Sequence, residues 1–220
     1  MSRTGKAASL KPRKAATQMR ASRTVEAIVE AAARILETVG MEGYTTNAVA
    51  ARAGVSIGSL YQYFPNKDAI TVALIEREAA LLLTQVNEAA AEPEWKAALK
   101  LMITAAVRHQ LSRPVLSRLL DVEEARLPTR DEAAPGSGAI FKVVRAVIAR
   151  AMPATALPGL SSVVEQLASD VIGITRGMTD MAGRRHEADG LDLALRVENA
   201  VCGYLFSALK QMNSHDLHAP

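Results

Sequence analysis

From Val25 to Met212 the apolar residues of this chain recur at intervals of three and four, and no stretch alternates apolar and polar residues as a strand would. A helix repeats about every 3.6 residues and a strand about every two, so this spacing confines the chain to an all-α fold. The first stripe is Val25, Ile28, Val29, Ala32, Ile35, Leu36 and Val39. Ser22 or Thr24 can cap its start, and Gly40 and Gly43 end it. Thr45-Thr46 then offers a cap to a short helix that turns Val49, Ala50 and Ala53 inward and stops at Gly54. Ser56 opens a still shorter helix holding Leu60, Tyr63 and Phe64, which Pro65-Asn66 breaks. Asn66 caps a long fourth helix running from Lys67 to about Ala91.

Beyond Pro93 the pattern predicts five more helices, over about 94–111, 114–127, 139–151, 160–183 and 191–212. Loops are expected at 128–138, which holds Pro128, Pro135, Gly136 and Gly138, between Pro153 and Pro158, and around Arg184-Arg185-His186. The expected organisation is therefore about nine helices in three parts. Residues 1–23 form a flexible basic arm, residues 24–70 a compact three-helix domain, and residues 71–220 a larger helical domain.

Charge is distributed unevenly over these parts. Arg3, Lys6, Lys11, Arg13, Lys14, Arg20 and Arg23 give residues 1–23 a charge of +7 with no acidic residue, so the net +3 of the whole leaves −4 for the remainder. Such a segment cannot bury enough apolar surface to order itself, and it suits a polyanion. It is not followed by an apolar h-region, so no secretory signal is expected. No apolar run reaches the ~18–20 residues of a membrane span. Cys202, the one cysteine in the sequence, excludes an internal disulfide framework and reads as a small buried hydrophobe. These features predict a cytoplasmic protein with no membrane partner. His109, His186, His215 and His218 are scattered, and neither a nucleophile–base arrangement nor a phosphate-cradling glycine loop is visible. No enzyme activity, metal or cofactor is expected.

The two short helices joined by Ala53-Gly54-Val55-Ser56 have the dimensions of a helix-turn-helix. The first braces the second, and the second is narrow enough to enter a major groove. The stretch from Thr45 through Val49, Gly54-Val55-Ser56-Ile57-Gly58-Ser59-Leu60-Tyr61-Gln62-Tyr63-Phe64 and Pro65-Asn66-Lys67 closely resembles the signature of the TetR/AcrR family of regulators. The resemblance covers about residues 24–75, including the preceding helix that ends in Gly40 and the start Lys67-Asp68-Ala69-Ile70.

Carried over position by position, the resemblance implies that Thr46 and Asn47 lie against a phosphate and the groove edge. It implies that Ser56, Ile57, Gly58, Ser59, Gln62 and Tyr63 belong to the DNA-facing helix and its cap, and that Tyr61 and Lys67 hold the backbone. The chemistry agrees. Hydroxyls and helix N-termini suit phosphates, Gln62 can pair with an adenine edge, and Ile57 can touch a thymine methyl. A lysine at a helix start opposes the macrodipole, which points to an external anion near Lys67. Leu60, Phe64, Val49 and Val55 are expected in the core. Residues 24–67 are slightly acidic, with Arg34, Arg52 and Lys67 against Glu26, Glu30, Glu37 and Glu42, so attraction to DNA must come largely from the arm.

In the larger domain the last two stripes are wider than one partner requires, with small residues among them. Val171, Gly173, Gly177, Val201, Gly203 and Leu205 are expected at a two-fold dimer interface. The four helices before them should enclose any effector cavity, with Met102, Arg108, His109, Arg118 and Glu123 as the candidate ligand-binding residues. Gln110, Glu124 and Arg126 are further polar candidates, and Trp95 and Phe141 read as core. The resemblance implies a homodimeric DNA-binding transcriptional regulator with a palindromic double-stranded operator, most readily a repressor released by a small-molecule effector. The alternative is a DNA-binding regulator or architectural protein with no small-molecule input.

Overall fold

A computed structural model of the chain describes residues 13–127, 137–152 and 160–216. Among the described residues there are nine α-helices and no strand: α1 (Arg13–Thr38), α2 (Thr46–Ala53), α3 (Ile57–Tyr63), α4 (Lys67–Ala90), α5 (Trp95–Ser112), α6 (Pro114–Arg126), α7 (Ser137–Ala149), α8 (Leu160–Arg184) and α9 (Gly190–Asp216). The expected loops around 128–136 and 153–159 lie outside the described residues, as do residues 1–12 of the expected arm and His218.

One boundary differs from the sequence reading. Helix α1 starts at Arg13, so residues 13–23, expected as flexible arm, are helical. That stretch contains Ala15, Ala16, Gln18, Met19 and Ala21 among its basic residues and neither glycine nor proline, a composition of good helix formers. Ser22 and Thr24 accordingly sit inside the helix and not at its cap. Thr24 Oγ1 donates to the Arg20 carbonyl at 2.9 Å, and Ser22 Oγ donates to Glu26 Oε1 at 3.3 Å.

The chain divides into two compact units, one ending at Ile70 and the other beginning at Thr71. In the first, α1 packs on α2 and α2 on α3. Ile28, Ala32, Leu36, Tyr44, Val49, Leu60 and Ile70 are each 1% exposed or less. Val39, expected on the buried stripe, is exposed because it follows the last helical residue, Thr38. Val55, also expected in the core, is only half-buried. Tyr44 was not foreseen in the core. It stands just before the cap Thr45, with buried Val49 five residues on, which is the spacing of a hydrophobic staple.

The joint between α2 and α3 is built from backbone. Gly54 adopts a left-handed conformation (φ 69°), its N–H donates to Ala51 O, and the N–H of Val55 donates to Ala50 O at 3.0 Å. This pair of bonds satisfies carbonyls that the helix end would leave bare. Ser56 then caps α3, its Oγ accepting from Ser59 N at 3.0 Å.

In the second unit α8 packs against α5, α6, α7 and α9, and α5 also packs on α9. Leu99, Ile103, Val107, Val147, Ile148, Leu167, Val171, Val197, Val201 and Leu205 form its aliphatic core. Polar ties hold the helices in register. Tyr204 Oη donates to Asp170, which pushes the phenol up to about 12. Lys100 Nζ meets Glu198 at 3.2 Å, and Arg150 donates to the carbonyls of Ala90 and Glu92, both at 2.9 Å, closing the C-terminal end of α4. Glu94 caps α5 by accepting from Lys96 N and Ala97 N, and those two bonds lower its carboxyl pKa.

The turn yields a direct test. No atom stands within 4 Å of a Cβ added at Gly54, so only the left-handed backbone resists substitution. Gly54→Ala is expected to lower stability by about 1–2 kcal/mol, the cost of a side chain in that conformation. Denaturant melts of wild type and variant measure the difference.

Candidate functional site

The capped turn decides which side of α3 faces out. Leu60 is wholly buried and Phe64 7% exposed, so the remaining positions of this two-turn helix turn away from the core. Ile57 is 38% exposed, Tyr61 50% and Tyr63 38%. Asn47, Ser56, Gly58 and Gln62 are exposed as well, while Thr46, Ser59 and Lys67 are half-buried. The structure thus places all ten residues singled out from the sequence around one short helix, its cap and the starts of its two neighbours.

Two contacts organise this face. The hydroxyls of Thr46 and Tyr61 lie 3.1 Å apart, joining the first residue of α2 to the middle of α3. Lys67 Nζ sits 5.4 Å from the centroid of the Tyr44 ring, so a buried aromatic positions the ammonium at the start of α4. Ser56 Oγ also donates to Ser59 Oγ at 2.9 Å, which holds the first turn of α3. A Cβ at Gly58 would meet only Ser56 Oγ, at 4.0 Å, so nothing inside the unit requires glycine there. The face offers hydroxyls, two amides, one isoleucine and one positioned cation. That set can accept or donate to base edges and phosphate oxygens.

The second unit contains a cavity of about 230 Å³. Its walls are aliphatic, from Leu82, Val86, Leu99, Met102, Ile103, Ile140, Val144 and Val171 among others, and its polar lining comes from Glu78, His109, Gln110, Ser117, Asp121, Glu124, Thr175, Arg176 and Thr179. Of the five residues expected to touch a ligand, Met102 and His109 line it. The other three do not. Arg108 is exposed, Arg118 is half-buried off the lining, and Glu123, though 6% exposed, is taken up by Arg126 at 2.7 Å. Periodicity could not separate them, because on α5 and α6 neighbouring positions differ only in which way the helix has rotated. Gln110 and Glu124, the wider candidates, do line the cavity. The sequence reading does not include Arg176 or Glu78, because each is one of several charges on a long helix and nothing local marks which of them turns inward.

His109 is held neutral. Burial lowers its pKa from the ordinary 6.5, outweighing the opposing pull of Glu78, whose carboxylate is 4.0 Å from Nε2. Glu78 is instead engaged by Arg77 at 2.6 Å and Arg113 at 3.5 Å. Arg176 Nη2 bridges Asp121 and Glu124, both at 2.5 Å.

The expected dimer residues divide sharply. Val171, Val201 and Leu205 are 3%, 0% and 2% exposed within a single chain and belong to its own core, because they lie on the stripes that α8 and α9 turn toward α5 and each other. Gly173, Gly177 and Gly203 are exposed, and a Cβ added at any of them meets nothing within 4 Å. Met181 follows Gly173 and Gly177 at the same interval of four, and on α9 Leu191, Leu195 and Phe206 are 82%, 53% and 72% exposed. Among the described residues no group of three or more His, Cys, Asp or Glu could hold a metal ion, and no helix is long and apolar enough to cross a membrane.

Residues 28–74 match the model of the bacterial regulatory proteins of the tetR family. The chain is 32% identical over 81 residues to the nucleoid occlusion factor SlmA of Glaesserella parasuis serovar 5, covering 37% of this chain and 40% of that one. It is 38% identical over 76 residues to the class C tetracycline repressor protein of Escherichia coli, 34% of each chain. The chain thus spans less than half the length of these relatives. A TetR-family transcriptional regulator from Streptomyces coelicolor shares the fold with a TM-score of 0.59 at 18% identity, over 83% of this chain and 99% of that one.

Protonation of His109 supplies a test of the cavity's electrostatics. A folded pKa below the unfolded one contributes stability that is complete above about pH 6.5 and is lost as pH falls through the lower folded value. Between about pH 7 and pH 5, wild type should lose stability more steeply than His109→Gln, measured by denaturant melts at each pH. Residues 28–74 thus match the tetR family of bacterial regulatory proteins, and the chain shares its overall fold with a solved regulator of that name.

Proposed function

We propose that the chain is a homodimeric DNA-binding transcriptional regulator, acting as a repressor that a small molecule releases from a palindromic operator. The observation that carries this reading is the outward face of α3, where Ile57, Tyr61, Gln62 and Tyr63 are exposed on a helix whose other side is locked by buried Leu60. A two-turn helix has no stability of its own in water, so a fold that caps and braces one while leaving its aromatic face bare supports a surface made to be covered. The family match over the same residues supports DNA as what covers it.

The roles follow from chemistry. Thr46, Tyr61 and Lys67 contact phosphates and set register; Asn47 and Ser59 stand at the groove edge; Ile57, Gln62 and Tyr63 meet bases, and Gly58 lets the backbone approach. The exposed stripes of α8 and α9, with Gly173, Gly177 and Met181 on one and Leu195 and Phe206 on the other, support pairing with a second copy. Two reading heads then engage two half-sites about one helical turn, ~34–36 Å, apart. The cavity is the reason to favour effector control over an architectural role. Helix α4 carries Lys67 at its first residue and Ile75, Glu78, Ala79, Leu82 and Val86 of the cavity lining further on, so ligand and DNA address one continuous helix. The two named relatives differ in output, one a repressor and one a nucleoid occlusion factor.

Fluorescence anisotropy with duplexes spanning the DNA upstream of the protein's own reading frame tests the reading, and absence of any site bound above competitor DNA would sink it. On such a site Tyr61→Phe and Lys67→Ala should weaken all operator variants alike. Gln62→Ala should instead relax preference at one base position by about 1–3 kcal/mol. For assembly, Phe206→Glu should shift dimer toward monomer in sedimentation while leaving helix content unchanged, because the side chain is 72% exposed in the single chain. Operator affinity should fall with it. An undisturbed dimer would place the interface elsewhere.

A further inference from the structure

We infer that the cavity takes an aliphatic ligand with a cationic, hydrogen-bond-donating head, of the chemistry of a long-chain alkylamine; this rests on reading the cavity as the effector site. The wall carries the first half of the inference. The apolar residues that line it are Ile, Leu, Val, Met and Ala, and among the described residues no Phe, Tyr or Trp does so, the His109 imidazole being the one ring present. A flat polycycle gains much of its affinity from ring stacking, which this wall does not offer. A flexible hydrocarbon chain asks only for burial, and an aliphatic wall provides that.

The polar end carries the second half. Glu78, Asp121 and Glu124 bring three carboxylates to the lining, against one guanidinium, that of Arg176. Arg176 Nη2 already lies 2.5 Å from both Asp121 and Glu124, and Glu78 is engaged from outside the lining by Arg77 and Arg113. His109, held neutral, adds no charge to the balance. An ionised carboxylate has about four lone-pair sites, and the arginine partners, with Gln110 Nε2 donating to Asp121 Oδ2 at 3.3 Å, occupy only some of them. Acceptors are therefore in surplus. An anionic head on Arg176 Nη2 would have to displace Asp121 or Glu124, and one on its other nitrogens would stand beside both carboxylates, whereas an ammonium adds to oxygens already in place. The side chains of Glu78, Glu124 and Asp121 are 13%, 25% and 29% exposed, so solvent screens this preference only in part. An alkylamine, like a lysine side chain, is protonated at neutral pH.

Calorimetric titration of the full chain with decylamine, decanol and decanoate, each below its micellar concentration, tests the assignment. Decylamine should bind tightest and decanoate weakest, with roughly tenfold between them. In the Asp121→Asn, Glu124→Gln double variant Arg176 loses both carboxylate partners, and the order should reverse to favour decanoate. Glu78→Gln should weaken decylamine without reversing the order, and it decides the matter if the double variant does not fold. Decanoate binding as tightly as decylamine to wild type, or no binding of any of the three, would overturn the inference. Anisotropy on operator DNA without ligand separates the two readings. Operator binding by a chain that takes up none of the three alkyl ligands overturns this inference alone, and failure to bind DNA overturns the regulator reading while the calorimetry still stands.

Discussion

Burial of aliphatic side chains between helices is the constraint on which everything else in this chain depends. Aromatics make up only 4% of the residues, so the cores are packed from Leu, Ile, Val and Ala, which interlock only when each helix turns a defined stripe inward. In the first unit that requirement directs Leu60 and Val49 inward and thereby turns Tyr61 and Gln62 outward. In the second it places Val171, Val201 and Leu205 inside and leaves Gly173, Gly177 and Phe206 outside. The candidate DNA face and the candidate dimer face are both the complement of a core.

Polar groups are then set where burial permits. The first unit resolves its helix ends locally, with Thr45, Ser56 and Asn66 each accepting from a backbone N–H three residues on. The second uses long-range ties, Tyr204 to Asp170 and Arg176 to Asp121 and Glu124, which fasten α9 and α6 to α8. The Arg176 tie borders a cavity whose wall is largely aliphatic, so the same residues that hold α6 against α8 also set the electrostatics a ligand would meet. A ligand that competes for Arg176 would loosen that contact, and one that binds its carboxylate partners would tighten it.

The comparisons match this division of labour. The family model covers residues 28–74, where turn chemistry and capping leave few sequence solutions. The solved fold neighbour from Streptomyces coelicolor covers 83% of the chain at only 18% identity. An aliphatic helical core tolerates exchange of one hydrocarbon for another as long as pattern and volume persist, which is how a fold can persist at such low identity.

What the sequence by itself determined is local: the helix count among the described residues, the caps at Thr45, Ser56 and Asn66, and the turn at Gly54, while the ten residues gathered around α3 are what the family resemblance implies. Each depends on residues within about five positions of one another, where periodicity and capping chemistry act. Even there, α1 starts earlier than the sequence reading puts it, because the alanines between Arg13, Lys14, Arg20 and Arg23 favour helix despite the charge. Tertiary structure alone decided which polar residues of α4, α5, α6 and α8 share a cavity. It brought Glu78, His109, Asp121 and Arg176 together and left Arg108, Arg118 and Glu123 aside. It also divided the glycines of α8 and α9 from the valines and leucines beside them. Neighbouring positions on a helix differ in direction by about 100°, so which of them meet depends on the rotation each helix takes up when its stripe packs. That rotation is a property of the assembled core, and no single segment encodes it.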